Sequence, residues 1–111
     1  MTEYTVRQLV FNHEKAFRPD AAEGVDAIIQ YCLTGEEGGN FIIVIKDGKC
    51  TVSEGLAENP TMTLTADGRD FGDVLLGKAN GMQYFMMGKL KLSGDLNLAM
   101  KLTSFFKMTG G

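Results

Sequence analysis

The chain has 111 residues, 44% of them hydrophobic and 23% charged, with a formal net charge of -3. That length allows one domain, residues 1–111, with a real core, and it falls short of what two domains need. The acidic balance argues against nucleic acid as a partner, and two cysteines, Cys32 and Cys50, are too few for a disulfide framework and lack the spacing of a zinc site.

No apolar run approaches the roughly 18 residues of a membrane span, and Met1-Thr-Glu-Tyr4 lacks the charged and apolar regions of a signal peptide. The expectation is a cytoplasmic protein with free thiols. Thr5-Val-Arg-Gln8 has the form of a capping box, followed by Val6, Leu9, Val10 and His13 on one face, which predicts a short amphipathic helix ending near Arg18-Pro19. His13, the only histidine, reads as a packed or edge residue rather than a catalyst. From Val25 to Thr34 apolar residues alternate with mostly polar ones, the period of a strand with one buried face. Asn40 to Lys46 is a second strand, apolar on both faces and therefore expected to be covered on both. Asp47-Gly48 marks a two-residue hairpin into a third strand, Cys50 to Ser53. In that meander Cys32 and Cys50 lie two strand spacings apart, roughly 9.5 Å, which is too far for a disulfide.

After a loop from Glu54 to Pro60, Thr61 to Ala66 alternates again as a fourth strand with Met62, Leu64 and Ala66 inward. Asp67 reads as an N-cap, with Phe71, Val74 and Leu75 on one helical face and Gly77 as the stop. Asn80 begins a second short helix carrying Met82, Phe85 and Met86, stopped by Gly88. Lys89 to Ser93 alternates as a fifth strand, with Leu90 and Leu92 inward. Gly94 turns the chain and Asp95 caps a last helix. On an ideal wheel, Leu96, Leu98, Ala99, Met100, Leu102, Phe105 and Phe106 would span an arc of roughly 220°, so the neighbouring helices, a partner subunit or a ligand must cover it on more than one side.

This C-terminal third stands apart in composition. Five of the seven methionines (Met82, Met86, Met87, Met100 and Met108) fall in it, and five lysines (Lys78, Lys89, Lys91, Lys101 and Lys107) face one acid, Asp95. The net charge therefore splits into -7 over residues 1–76 and +4 over the remainder. An adaptable apolar wall with a basic rim suits an anionic, greasy ligand, whereas Met and Phe at helical spacing also serve as ordinary core.

Gly77-Lys78, Phe85-Met-Met-Gly-Lys-Leu-Lys-Leu-Ser-Gly-Asp95 and Leu98-Ala-Met-Lys-Leu102 together resemble the pattern of the sterol carrier protein type 2 family. Ala57-Glu-Asn-Pro60 and Ile45-Lys-Asp-Gly-Lys49 support the resemblance, which covers nearly the whole chain and includes the family's bacterial stand-alone members. It implies an α+β fold: a five-stranded, largely antiparallel sheet covered by helices, with an apolar tunnel between them. It further implies binding or transfer of fatty acids, fatty acyl-CoA, sterols or isoprenoid-like lipids without chemistry. The ending Met108-Thr-Gly-Gly111 differs from the peroxisomal Ser-Lys-Leu signal of eukaryotic members.

The lining expected on these grounds is Met82, Phe85, Met86, Met100, Phe105 and Phe106, together with Phe71, Leu75, Leu92 and Leu102, each of which could equally be plain core. Lys78, Lys89 and Lys91 are candidates for an anionic headgroup or a transient membrane contact, against the simpler reading of a solvated face. A second reading makes the chain a homodimer or an accessory module for a lipid- or quinone-metabolising enzyme. A third, an acyl-CoA thioesterase, lacks a visible nucleophile or paired base, since Asp70 and Asp73 have capping work on a helix. No phosphate loop, nucleophile elbow or metal spacing occurs, so no cofactor or metal is expected and the chain is read as not an enzyme.

Overall fold

The computed structural model describes residues 5–106. The Met1–Tyr4 start, Lys107 and the Met108–Gly111 ending, all weighed in the sequence, lie outside the described residues. Thr5 and Gln8 form the expected capping box at the head of α1 (Val6–Phe11), each side chain bonding the other's backbone N–H. The chain breaks at Asn12 and continues as α2 (His13–Ala16), and Phe17 is already extended before the proline at 19.

Five strands follow in one sheet: β1 (Ala27–Thr34), β2 (Gly39–Lys46), β3 (Lys49–Glu54), β4 (Met62–Asp67) and β5 (Leu90–Gly94). Their spatial order is β3-β2-β1-β4-β5, antiparallel throughout except where β1 runs parallel to β4. The β2–β3 hairpin turns on Asp47 and Gly48, both at positive φ, as the Asp-Gly pair requires.

Register sorts the side chains. Ala27, Ile29, Tyr31 and Leu33 of β1 share an inner face with Phe41, Ile43 and Ile45 of β2, Val52 of β3, Met62, Leu64 and Ala66 of β4, and Leu90 of β5; all are buried. This face forms one core with Val6, Leu9 and Val10 of α1, Phe71 and Leu75 of α3 (Gly68–Leu75), Leu98 of α5 (Leu96–Lys101), and Leu102, Phe105 and Phe106 beyond it.

The opposite face is covered differently. The link from β3 to β4 must pass two strands, and it crosses this outer face as a loop held by Gln30. The Gln30 amide N–H donates to the carbonyls of Phe41 and Gly55, and its oxygen accepts the Ala57 N–H at 2.7 Å. Thr61 then clasps Ile28 at the start of β4, donating its own N–H to the Ile28 carbonyl while its hydroxyl accepts the Ile28 N–H. Ile42 and Val44 of β2 were expected to be covered on this side as well. They are only half-buried where the loop crosses, with Gly55 close to Ile42.

The last helix also departs from expectation. The α-helix ends at Lys101 and the chain tightens into a 3₁₀ turn over Leu102–Phe105, after which Phe106 pairs with Phe17 as an isolated antiparallel bridge. A 3₁₀ turn has 3.0 residues per turn, so the wheel that gave the wide arc does not apply beyond Lys101. Leu98, Leu102, Phe105 and Phe106 all reach the core, while Leu96 and Met100 face out.

Gly94 ends β5 because nothing else fits. Its φ is +89°, and a Cβ there would sit 2.6 Å from the Thr61 carbonyl oxygen. The two cysteines are free and lie on opposite faces of the sheet.

Candidate functional site

Two short helices stand between β4 and the end of β5. In α3, the Asp67 carboxylate accepts the N–H groups of Arg69 and Asp70, and Gly77 at φ +77° closes the helix. In α4 (Gly81–Met86), the Asn80 side chain accepts the N–H groups of Met82 and Gln83, and Gly88 at φ +80° ends the run. The local grammar is the same, but the orientation is not. α3 buries Phe71 and Leu75, whereas α4 buries no residue and packs through Tyr84 and through Gly81, which abuts Val74 of α3.

The ten expected lining residues divide accordingly. Phe71, Leu75, Leu102, Phe105 and Phe106 come together in the core. Phe71 meets Tyr31 edge-on with centroids 4.8 Å apart, and Phe106 lies 4.5 Å from the His13 ring and 6.0 Å from Phe17. Met82, Phe85, Met86 and Met100 are exposed, with Met86 at 79% and Met100 at 72%. Leu92 lies between the two sets: it is inward-facing on β5 opposite Leu64 but only partly buried. Lys78, Lys89 and Lys91 are all exposed, and Lys89 places its ammonium 4.8 Å from the Tyr84 ring centroid. The sequence reading left Met87 and Leu96 off the lining, yet both are exposed apolar side chains of the same region. Their signal was compositional, since they belong to the same methionine- and leucine-rich run.

The buried titratable groups are structural. His13 Nδ1 donates to the Leu9 carbonyl at 3.0 Å, which leaves Nε2 to accept the Tyr31 hydroxyl at 3.1 Å. Burial lowers the His13 pKa to about 4, the bond to Leu9 opposing it, so the ring is neutral near pH 7. Burial drives Tyr31 above its ordinary range, with a smaller push from Cys50. Cys50 is pushed up to about 12, first by burial and then by the Glu14 carboxylate, so it is a thiol rather than a nucleophilic thiolate. Among the described residues no group of three or more His, Cys, Asp or Glu side chains could hold a metal.

An open cleft of about 570 Å³ runs between α1 and α3, lined by residues that include Val6, Leu9, Glu37, Arg69, Asp73 and Leu76. None of the ten expected lining residues borders it. Its rim is charged, and Glu37 is already occupied in accepting the Val6 N–H.

A sheet whose helices gather on one face, with a greasy rim at its β5 edge, is a small α+β fold. Comparison with known proteins agrees. Residues 8–107 match the SCP-2 sterol transfer family, and the chain belongs to that family. It is 36% identical over 90 residues to hydroxysteroid dehydrogenase-like protein 2 of Xenopus tropicalis, a match that covers 80% of this chain and 22% of the frog protein. The chain thus spans about a fifth of that relative's length. The solution structure of sterol carrier protein domain 2 of Helicoverpa armigera superposes with a TM-score of 0.69 at 32% identity, covering 89% of this chain and 80% of that one. The solution structure of palmitated SCP2L2 from Aedes aegypti gives a TM-score of 0.73 at 25% identity, covering 94% and 93%.

Proposed function

We propose that the protein is a non-catalytic carrier that takes a fatty acyl, sterol-like or isoprenoid lipid at its β5 edge. The observation that carries this reading is the inverted helix α4. Met82, Phe85 and Met86 sit at i, i+3 and i+4, share one face, and turn it to water beside the half-covered Leu92. In this reading they form the mouth of the site with Met100, and Phe71, Leu75, Leu102, Phe105 and Phe106 form its inner wall once a ligand parts them. Methionine suits such a mouth because its unbranched side chain repacks around different shapes. Lys78, Lys89 and Lys91 meet an acyl carboxylate or a CoA phosphate. The relative whose structure is described as palmitated supports the choice of an acyl chain.

Burying a chain of about sixteen carbons offers on the order of 10 kcal/mol before entropy and reorganisation costs, enough for about micromolar affinity. Fluorescent fatty acid and acyl-CoA analogues titrated onto delipidated protein should therefore bind saturably at one site. No saturable binding of either analogue sinks the reading. The two free thiols fit residence in the reducing cytoplasm.

A second reading, an accessory interaction module for a lipid- or quinone-metabolising enzyme, is favoured by one observation. Most of the frog relative lies outside the matched stretch, so there the domain is joined to other sequence. Co-elution of this chain with a lipid- or quinone-metabolising enzyme, with no lipid bound, would favour it over carriage.

A further inference from the structure

The core holds a polar pair that an apolar site alone does not call for. Among the described residues two polar side chains are buried, Gln30 and His13, and Tyr31 carries its hydroxyl in on a ring that is 1% exposed. Gln30 has its amide occupied at both ends, holding the crossing loop on the outer face. His13 and Tyr31 lie in the core instead, with ring centroids 5.7 Å apart, between two rings of the proposed inner wall. His13 is 4.5 Å from Phe106, and Tyr31 is 4.8 Å from Phe71, centroid to centroid.

The direction of the hydrogen bonds is fixed from one end. The Leu9 carbonyl can only accept, so His13 Nδ1 carries the proton and Nε2 is left as an acceptor. Tyr31 must then donate to Nε2, and its oxygen, with no second partner among the described residues, keeps free acceptor capacity. The chain from Tyr31 through His13 to Leu9 therefore ends in an oxygen that can receive one more donor and has no proton left to offer. Hydrogen bonds aligned in one direction strengthen one another. Stability does not require the pair, since replacing both partners of a buried hydrogen bond by apolar groups of similar shape can be nearly neutral.

We infer that the His13–Tyr31 pair is a specificity element that reads a hydroxyl at the buried end of an uncharged lipid, Tyr31 Oη accepting the ligand O–H. The ligand class is a long-chain alcohol or another neutral lipid with one buried hydroxyl. A carboxylate has no proton to donate and would be set, without water, against the Tyr31 lone pairs, so an acyl chain keeps that group outside at Lys78, Lys89 and Lys91. Burial keeps His13 uncharged near pH 7, so there is no imidazolium to hold an anion. Glu14, the acid on the same helix, is occupied in accepting the Val52 N–H at 2.6 Å. A plain hydrocarbon end gains nothing from the pair. The inference deepens the carrier reading and rests on it, because a ligand must part the inner wall to reach Tyr31.

Competition against a bound fluorescent fatty acid analogue, with hexadecanol, hexadecyl methyl ether and palmitate as probes, tests the inference. The ether keeps the oxygen and loses the donor. On delipidated protein the alcohol should bind about fivefold more tightly than the ether, the worth of one net hydrogen bond. The double variant His13→Leu, Tyr31→Phe should bring alcohol and ether to equal affinity and leave palmitate unchanged. A packing role alone would move all three probes together. A second measurement does not depend on how the variant folds: His13 is the only histidine of the chain, so its ring nitrogens give a single set of NMR signals. On the parent protein the alcohol should shift the Nε2 signal saturably and further than the ether does. Equal affinity for alcohol and ether in the parent, a preference that survives the double variant, or an Nε2 signal that the alcohol leaves in place overturns the inference. Palmitate separates it from the reading beneath it. Failure of palmitate and alcohol alike sinks the carrier reading, and palmitate binding without a preference for the alcohol sinks only this one.

Discussion

α3 and α4 are built from the same parts and end up facing different surroundings. Each starts on an Asx side chain that accepts two backbone N–H groups, each runs for no more than eight residues, and each is closed by a glycine at positive φ. Each carries apolar residues at i, i+3 and i+4 or nearly so. Yet Phe71 of α3 is 3% exposed and Phe85 of α4 is 41% exposed. An amphipathic stripe reports that a helix has a greasy side, and it leaves open whether protein, lipid or ligand meets that side.

Truncating the two aromatics should therefore break the symmetry most sharply. Phe71→Ala removes a ring packed edge-on against Tyr31 and should cost about 3–5 kcal/mol in urea denaturation. Phe85→Ala should cost under about 1 kcal/mol and act on lipid affinity instead. Equal losses at the two positions would mean that α4 is packed as deeply as α3.

The next largest effect separates the closed side from the open one by pH. The His13 imidazole binds a proton near its ordinary 6.5 when unfolded and only at about 4 when folded, because burial disfavours its charged form. The unfolded state thus holds more protons between these values. The contribution is fully present above pH 6.5 and is lost as pH falls towards 4, amounting to about 3 kcal/mol. His13→Gln should flatten that part of the stability profile, and an unchanged slope would show that other groups carry it.

The smallest effect tests the shared grammar. Asp67→Ala and Asn80→Ala each delete an N-cap and should each cost about 1 kcal/mol by thermal or urea unfolding. A much smaller cost at Asn80 would show that α4 frays in water without its ligand.

Much of the fold was legible because it is local. Period-two alternation placed β1, β4 and β5, a continuous apolar run placed β2, the Asp47-Gly48 pair placed the hairpin into β3, and Thr5, Asp67, Asn80 and Asp95 announced the helix starts. Other features depend on long-range pairing, which no window of sequence contains. β4 lies parallel to β1, so the outer face is crossed by a loop instead of a helix, and Gln30 becomes a buried anchor rather than a wet strand position. The switch to a 3₁₀ turn at Leu102 was hidden for the same reason, because the bridge between Phe17 and Phe106 joins distant residues. At the candidate site, the sequence identified which residues are greasy. The structure divided them into a buried wall, with Phe105 and Phe106 in it, and an exposed rim of Met82, Phe85, Met86 and Met100.

Methyl resonances of methionine offer the most direct test of that rim as a ligand mouth, because the protein carries its own control. Met62 is 1% exposed within the sheet, whereas Met82, Met86 and Met100 stand in water. On titration of delipidated protein with palmitate, the methyl signals of Met82, Met86 and Met100 should shift saturably together while Met62 moves little. Saturable shifts confined to Met62, or none at all, would contradict the account.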